Sequence, residues 1–132
     1  MANKMIYIAG ALTALTPEKY QQLTKFYESL GEVCQQAGFD AFIPHTHGGK
    51  DHGSDQETIA YIRRCCCLAV SLSYLVVAYV GERSTGVGRE LQLAEHAKKP
   101  IITLGEASKF SAGHVTEMID GDSGILREIK FT

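Results

Sequence analysis

Short apolar runs alternate with longer segments of helical period along this chain, and that alternation leaves few folds open. Met5-Ile-Tyr-Ile-Ala9 reads as a buried strand that Gly10 ends. Thr16-Pro17-Glu18 reads as a helix start, with a hydroxyl cap, a proline at the first position and an acid in the first turn. Tyr20, Leu23, Phe26, Tyr27, Leu30, Val33, Cys34 and Ala37 then recur at helical spacing until Gly38. A short strand over Asp40–Ile43 follows, and residues 44–53, with three histidines and three glycines, read as an exposed loop. Ser54-Asp-Gln-Glu57 fits a capping box for a helix running to about Leu72. Leu75–Val80 is apolar on both faces and reads as a central strand. A glycine turn over 81–88 precedes a helix from Arg89 to about Lys99, which Pro100 ends. Ile101–Leu104 is a fourth strand, His114–Ile119 a short helix and Ile129–Phe131 a final strand.

Strands alternating with helices predict an α/β domain, a Rossmann-like three-layer sandwich around a mostly parallel five-stranded sheet. The 132 residues suit one domain over 1–132. Such sheets bind ligands beyond the carboxyl ends of their strands, at the point where the strand order reverses. That directs attention to residues 7–13 and 81–90.

Charge excludes one class of partner. Thirteen basic and 15 acidic side chains give a net charge of −2, which provides no broad footprint for a nucleic-acid polymer. The apolar run Cys65–Val70 is too short to cross a bilayer, so no membrane association is expected. Met-Ala-Asn-Lys ahead of a short apolar run lacks the h-region of a secretory signal. Three of the four cysteines are consecutive, at Cys65, Cys66 and Cys67, which is no disulfide framework. A reducing, cytoplasmic location is therefore expected.

The strongest chemical signal is Ser84-Thr85-Gly86-Val87-Gly88-Arg89-Glu90. Two glycines let the backbone approach a ligand, and a helix start offers N–H groups to an anion such as phosphate. An ordinary glycine turn entering a helix has the same pattern. The segment is neither a dinucleotide fingerprint nor a Walker A loop, lacking the third glycine of one and the Gly-Lys-Ser/Thr of the other. Glu90, read as a first-turn residue, either complements the helix dipole or serves as a nucleophile towards an anomeric carbon. Tyr7 is either a core tyrosine or a phenol that orients a neighbouring carboxylate. His45, His47 and His52, with Asp51 and Asp55, lack paired metal-ligand spacing, so a solvated loop is expected rather than a metal site. The cysteine triplet lies in a helical segment, where successive side chains point about 100 degrees apart and cannot share one metal. Buried packing is its expected role.

These residues resemble a known family. Tyr7-Ile-Ala-Gly10, Leu75-Val-Val-Ala-Tyr79, Ser84–Glu90, Lys99-Pro-Ile-Ile and Met118-Ile-Asp-Gly121 occur in an order similar to that of the nucleoside 2-deoxyribosyltransferase superfamily. The Gly-Val-Gly-x-Glu form is nearest the 2'-deoxynucleoside 5'-phosphate N-hydrolase branch. The resemblance implies cleavage of an N-glycosidic bond in a (deoxy)nucleoside 5'-monophosphate, without a cofactor. It implies Glu90 as nucleophile, Tyr7 holding it, and Gly10, Ser84, Gly86 and Gly88 binding substrate, the last three at the 5'-phosphate. Thr116 would reach in from the second subunit of a homodimer. Water would accept the sugar in a hydrolase, and a second base in a transferase.

The chain departs from that pattern in three places. Family members carry a general-acid aspartate on the second helix, and its position here is Cys66. A second family aspartate, opening strand three, is Tyr74, and the family's Ser or Arg after strand one is replaced by Ala11-Leu12-Thr13. A thiol with an ordinary pKa of about 8.5 is a poor acid at neutral pH. Losing a general acid typically costs a factor of about 10² to 10⁴. Either Asp51 or Asp55 supplies the acid, or the chain is a nucleotide-binding relative with impaired catalysis.

Overall fold

The computed structural model describes residues 3–47, 56–116 and 118–132. The chain runs β1 (Met5–Ala9), α1 (Pro17–Gln36), β2 (Asp40–Phe42), α2 (Pro44–His47), α3 (Gln56–Leu72), β3 (Leu75–Tyr79), α4 (Thr85–His96), β4 (Ile101–Glu106), α5 (Ala107–Ser111) and β5 (Arg127–Phe131). The five strands form one sheet in the order β2-β1-β3-β4-β5. Every pairing is parallel. The expected α/β sandwich is therefore present.

Alternation along the strands sorts the core into two halves. Tyr7 and Ala9 of β1, with Val76 and Ala78 of β3, pack with Ala69 and Val70 of α3 and Leu91 and Ala94 of α4. Ile6 and Ile8 point the other way, packing with Tyr27 and Cys34 of α1. Helices on both faces explain why β1 and β3 carry apolar residues at nearly every position.

The local cues act where elementary chemistry places them. Thr16 caps α1, its hydroxyl accepting from the Lys19 N–H at 3.2 Å, with Pro17 as the first helical residue. Chain order reverses between β1 and β3, because the chain leaves β1 outward to β2 and returns on the other side. The carboxyl ends of these two strands therefore frame the crevice expected for a ligand.

Three expected elements are corrected. The last long helix begins at Thr85, not Arg89, because Ser84 caps it, its Oγ accepting from the Val87 N–H at 3.2 Å. A cap is worth about 1 kcal/mol and offsets much of the cost of a glycine in the first turn. The short helix after β4 lies at Ala107–Ser111 rather than His114–Ile119. Pairing with β5 carries β4 to Glu106, and Phe110 is then buried in the core. Within 114–119 the pattern yields a single turn instead, closed by the N–H groups of Ile119 and Asp120 on the Thr116 carbonyl. Residues 44–47, expected as loop, form a turn of helix in which His45 is buried. Its Nε2 lies 3.2 Å from Glu28 Oε1. His52, Asp51, Asp55, the Ser54 cap and the His47 side chain lie outside the described residues. Among the described residues, no helix is long and apolar enough to cross a membrane.

Candidate active site

Tyr7 is fully buried on β1, on the face covered by α3 and α4. Its ring stacks on Phe42 of β2, centroids 5.4 Å apart and planes 13° from parallel. This fixes the direction of the phenol. The hydroxyl donates to Oε2 of Glu90, the sixth residue of α4. Cys66 of α3 also approaches the phenol as a hydrogen-bond partner. A strand, a central helix and a neighbouring helix thus converge on one carboxylate.

The electrostatics follow from that burial. Desolvation pushes the Glu90 carboxyl up to about 7, and the Tyr7 hydrogen bond opposes the rise. Burial, then the Glu90 charge, holds the Tyr7 proton far more tightly than usual. Burial also pushes the Cys66 thiol up, against the lowering influence of the Tyr7 hydrogen bond. Glu90 is in the second turn of α4, not the first. The helix dipole falls off within the first turn, so burial and the phenol set its titration.

Glu90 borders a cleft of about 210 Å³ between the segment after β1, α3 and α4. Gly10, Ser84 and Gly86 border it too, as do Cys66, Cys67, Arg63 and Arg89. The arginines are exposed and, among the described residues, form no ion pair. A second hollow, about 670 Å³, lies across the start of α4. It is bordered by Gly88, His114 and Thr116, and shares Ser84 and Val87 with the first. The first turn of α4 is therefore a wall between two cavities. A Cβ on Gly88 would meet nothing within 4 Å, and one on Gly86 would meet only Ser84 Oγ at 3.6 Å. Both glycines leave that wall low.

Gly10 has a second task. A Cβ there would lie 2.2 Å from the Tyr27 ring, whose hydroxyl donates to the Ala11 carbonyl at 2.9 Å. Gly10 lets Tyr27 pin the segment bordering the cleft.

The structure thus joins Glu90, Gly10, Ser84 and Gly86 around one cleft, with Tyr7 bonded to Glu90, and places Gly88 and Thr116 of the same chain on the other. Arg63, Cys66 and Cys67 at helical spacing face α4. That spacing was available in the sequence but was obscured by reading the cysteines as packing. The three thiols are half-buried rather than buried, and all four cysteines are free. Tyr74 stands at the opposite end of β3 from the cleft, stacked on Phe39 at 5.9 Å. Glu82, at the larger hollow, bridges Lys19 at 2.7 Å and Lys109 at 3.3 Å. Among the described residues, no group of three or more His, Cys, Asp or Glu is placed to hold a metal.

The sheet order and the crevice define a doubly wound α/β domain with a carboxylate bordering the crevice at its switch point. Solved structures with this fold include the CMP N-glycosidase BcmB of Clostridium botulinum, at TM-score 0.65 and 17% identity, over 98% of this chain and 91% of that one. A 2-deoxyribosyltransferase from Bacillus psychrosaccharolyticus matches at TM-score 0.61 and 16% identity, over 76% and 72%. A conserved protein from Enterococcus faecalis V583 matches at 0.62 and 16%, over 99% and 92%. The chain thus shares its fold with these proteins. No family model and no curated protein matches the sequence.

Proposed function

We propose that this single-domain chain is an N-glycosidase acting on a nucleoside 5'-monophosphate, with Glu90 as the nucleophile. The observation carrying this reading is the hydrogen bond from Tyr7 to Glu90, which borders the crevice. A buried carboxyl titrating near 7 is about half ionised at neutral pH. The phenol stabilises the ionised half and aims it. A Glu90 oxygen bonds to C1' as the C1'–N bond breaks, giving a glycosyl ester that water then opens.

The phosphate is assigned to the start of α4. Ser84 Oγ takes the Val87 N–H and the Ser84 carbonyl takes the Gly88 N–H, leaving the N–H groups ahead of them for an anion. Gly86 and Gly88 keep side chains out of its way, and Arg63 and Arg89 add positive charge at the cleft. Thr116 is assigned to the same ligand, supplied by the second subunit of a homodimer. The fold shared with a 2-deoxyribosyltransferase supports a second reading, in which another base accepts the sugar.

The test is a screen of ribo- and deoxyribonucleoside monophosphates for release of free base. Release that disappears in Glu90→Ala is expected. Release that survives the substitution would remove Glu90 as nucleophile. Nucleotide binding without release, weakened by Ser84→Ala, would mark a binding protein instead.

A further inference from the structure

Among the described residues, the cleft is bordered by one carboxylate, and the groups around it are poor proton donors. Among the described residues bordering it, Glu90 is the sole acid. Tyr7 spends its proton on Glu90, and Cys66 shares a hydrogen bond with that same phenol. Arg63 and Arg89 do not give up protons. Leu12, Pro44, Ile62 and Leu93 make much of the remaining wall apolar.

This set of side chains constrains the leaving group. A base that is neutral while attached to the sugar leaves as an anion unless it is protonated as the bond breaks. A ring already positive at the glycosidic nitrogen, or elsewhere in the same conjugated system, leaves neutral and needs no donor. Such a ring also suits Glu90, since an opposite charge within a few ångström favours the ionised carboxylate. The ligand would therefore help to ionise its own nucleophile.

We propose that the cleft takes nucleoside 5'-monophosphates whose base is cationic, a pyridinium or an N7-alkylated purine. The proposal rests on the reading of Glu90 as nucleophile. In the first step a Glu90 oxygen bonds to C1', and the C1'–N electron pair moves onto the ring, which leaves neutral. In the second a water oxygen bonds to C1', and the C1'–O pair returns to Glu90. The water's proton passes to solvent. Each turnover of a cationic substrate thus releases one proton, whereas a neutral base would take that proton up on leaving.

The test compares 7-methylguanosine 5'-monophosphate with GMP, and nicotinamide mononucleotide with CMP, by chromatography and in a pH-stat. The wild-type chain should cleave the cationic member of each pair at least about 100-fold faster, the span of a missing general acid. One proton should be released per nicotinamide mononucleotide cleaved, and per 7-methylguanosine 5'-monophosphate in acid, where the purine N1 keeps its proton. Cys66→Asp should narrow the ratio within each pair by about 100-fold. If that variant does not fold, the wild-type ratios and the proton count decide alone. GMP or CMP cleaved as fast as its cationic counterpart, with cleavage lost in Glu90→Ala, would overturn this inference and leave the Glu90 reading standing. Cleavage of a neutral nucleotide that disappears in Asp51→Asn or Asp55→Asn would overturn it too, by locating the missing acid. Cleavage of none of the four compounds would overturn this inference alone, and cleavage indifferent to Glu90→Ala would overturn both readings.

Discussion

Replacing Glu90 with glutamine should stabilise the fold at alkaline pH and leave it nearly unchanged in acid. Burial raises the carboxyl from the ordinary 4.5 to about 7. The unfolded chain ionises at the lower value and the folded chain at the higher. Between them the unfolded state has lost a proton that the folded state keeps, so stability falls as pH rises. The loss begins above 4.5 and is complete once the pH passes about 7. A rise of that size is worth about 3 kcal/mol. Glutamine is neutral throughout, is close in shape, and its carbonyl can accept from the Tyr7 hydroxyl. Urea unfolding of both proteins at pH 4.5, 6, 7 and 8.5 measures the difference. The variant should match the wild type at the lowest pH, gain through the next two, and hold an advantage of about 3 kcal/mol at the highest. For a domain of this size that is roughly 10 °C in Tm. Parallel stability curves across the range would mean that Glu90 is not held in a desolvating site, and the electrostatic argument would fail.

Other substitutions probe the same construction. Tyr7→Phe removes the bond that lowers the Glu90 pKa, so the carboxyl should titrate above about 7 and the rising limb of the pH–rate profile should move alkaline. An unmoved limb would show that the phenol does not tune the carboxylate. Gly10→Ala drives a methyl into the Tyr27 ring and should cost about 1 to 3 kcal/mol in denaturant unfolding, the usual price of overpacking. Ser84→Ala removes the cap of α4 and should cost about 1 kcal/mol, readable in the same way. Glu82→Gln should flatten stability between neutral and acid pH. The Lys19 and Lys109 hydrogen bonds hold the Glu82 carboxyl below its ordinary value, so its contribution is present above that value and fades as pH falls through the lowered one. Chemical unfolding from pH 3 to 7 would reveal the difference.

Much of this architecture is legible in residue order because the strongest cues are local. Thr16-Pro17 fixes the start of α1, and the apolar runs of β1 and β3 mark strands covered on both faces. The start of α4 was obscured because glycines argue for a turn, while the Ser84 cap that overrides them is a single hydrogen bond. The segment after β4 misled through its periodicity. Val115 is buried, yet it sits in a turn rather than a helix. Tyr7 and Glu90, 83 residues apart, meet only because the parallel sheet brings β1 beside β3 and α4 packs over both. The motifs named both residues, but their contact is a property of topology. The place of Arg63 and Arg89 at the cleft is illegible in the sequence for the opposite reason. Exposed arginines on helices are ordinary until two helices pack and place them at one cleft.

The stack between Tyr7 and Phe42 carries a consequence for the sheet margin. Phe42 belongs to a three-residue strand at the edge, the part of a sheet most ready to fray. Tyr7 leans on that margin, and its hydrogen bond opposes the rise that burial gives the Glu90 carboxyl. The outermost strand is thereby linked, through one stack and one hydrogen bond, to a carboxylate on α4. Loosening the edge would weaken the hold on the phenol and let the Glu90 carboxyl rise further, without touching Glu90 itself.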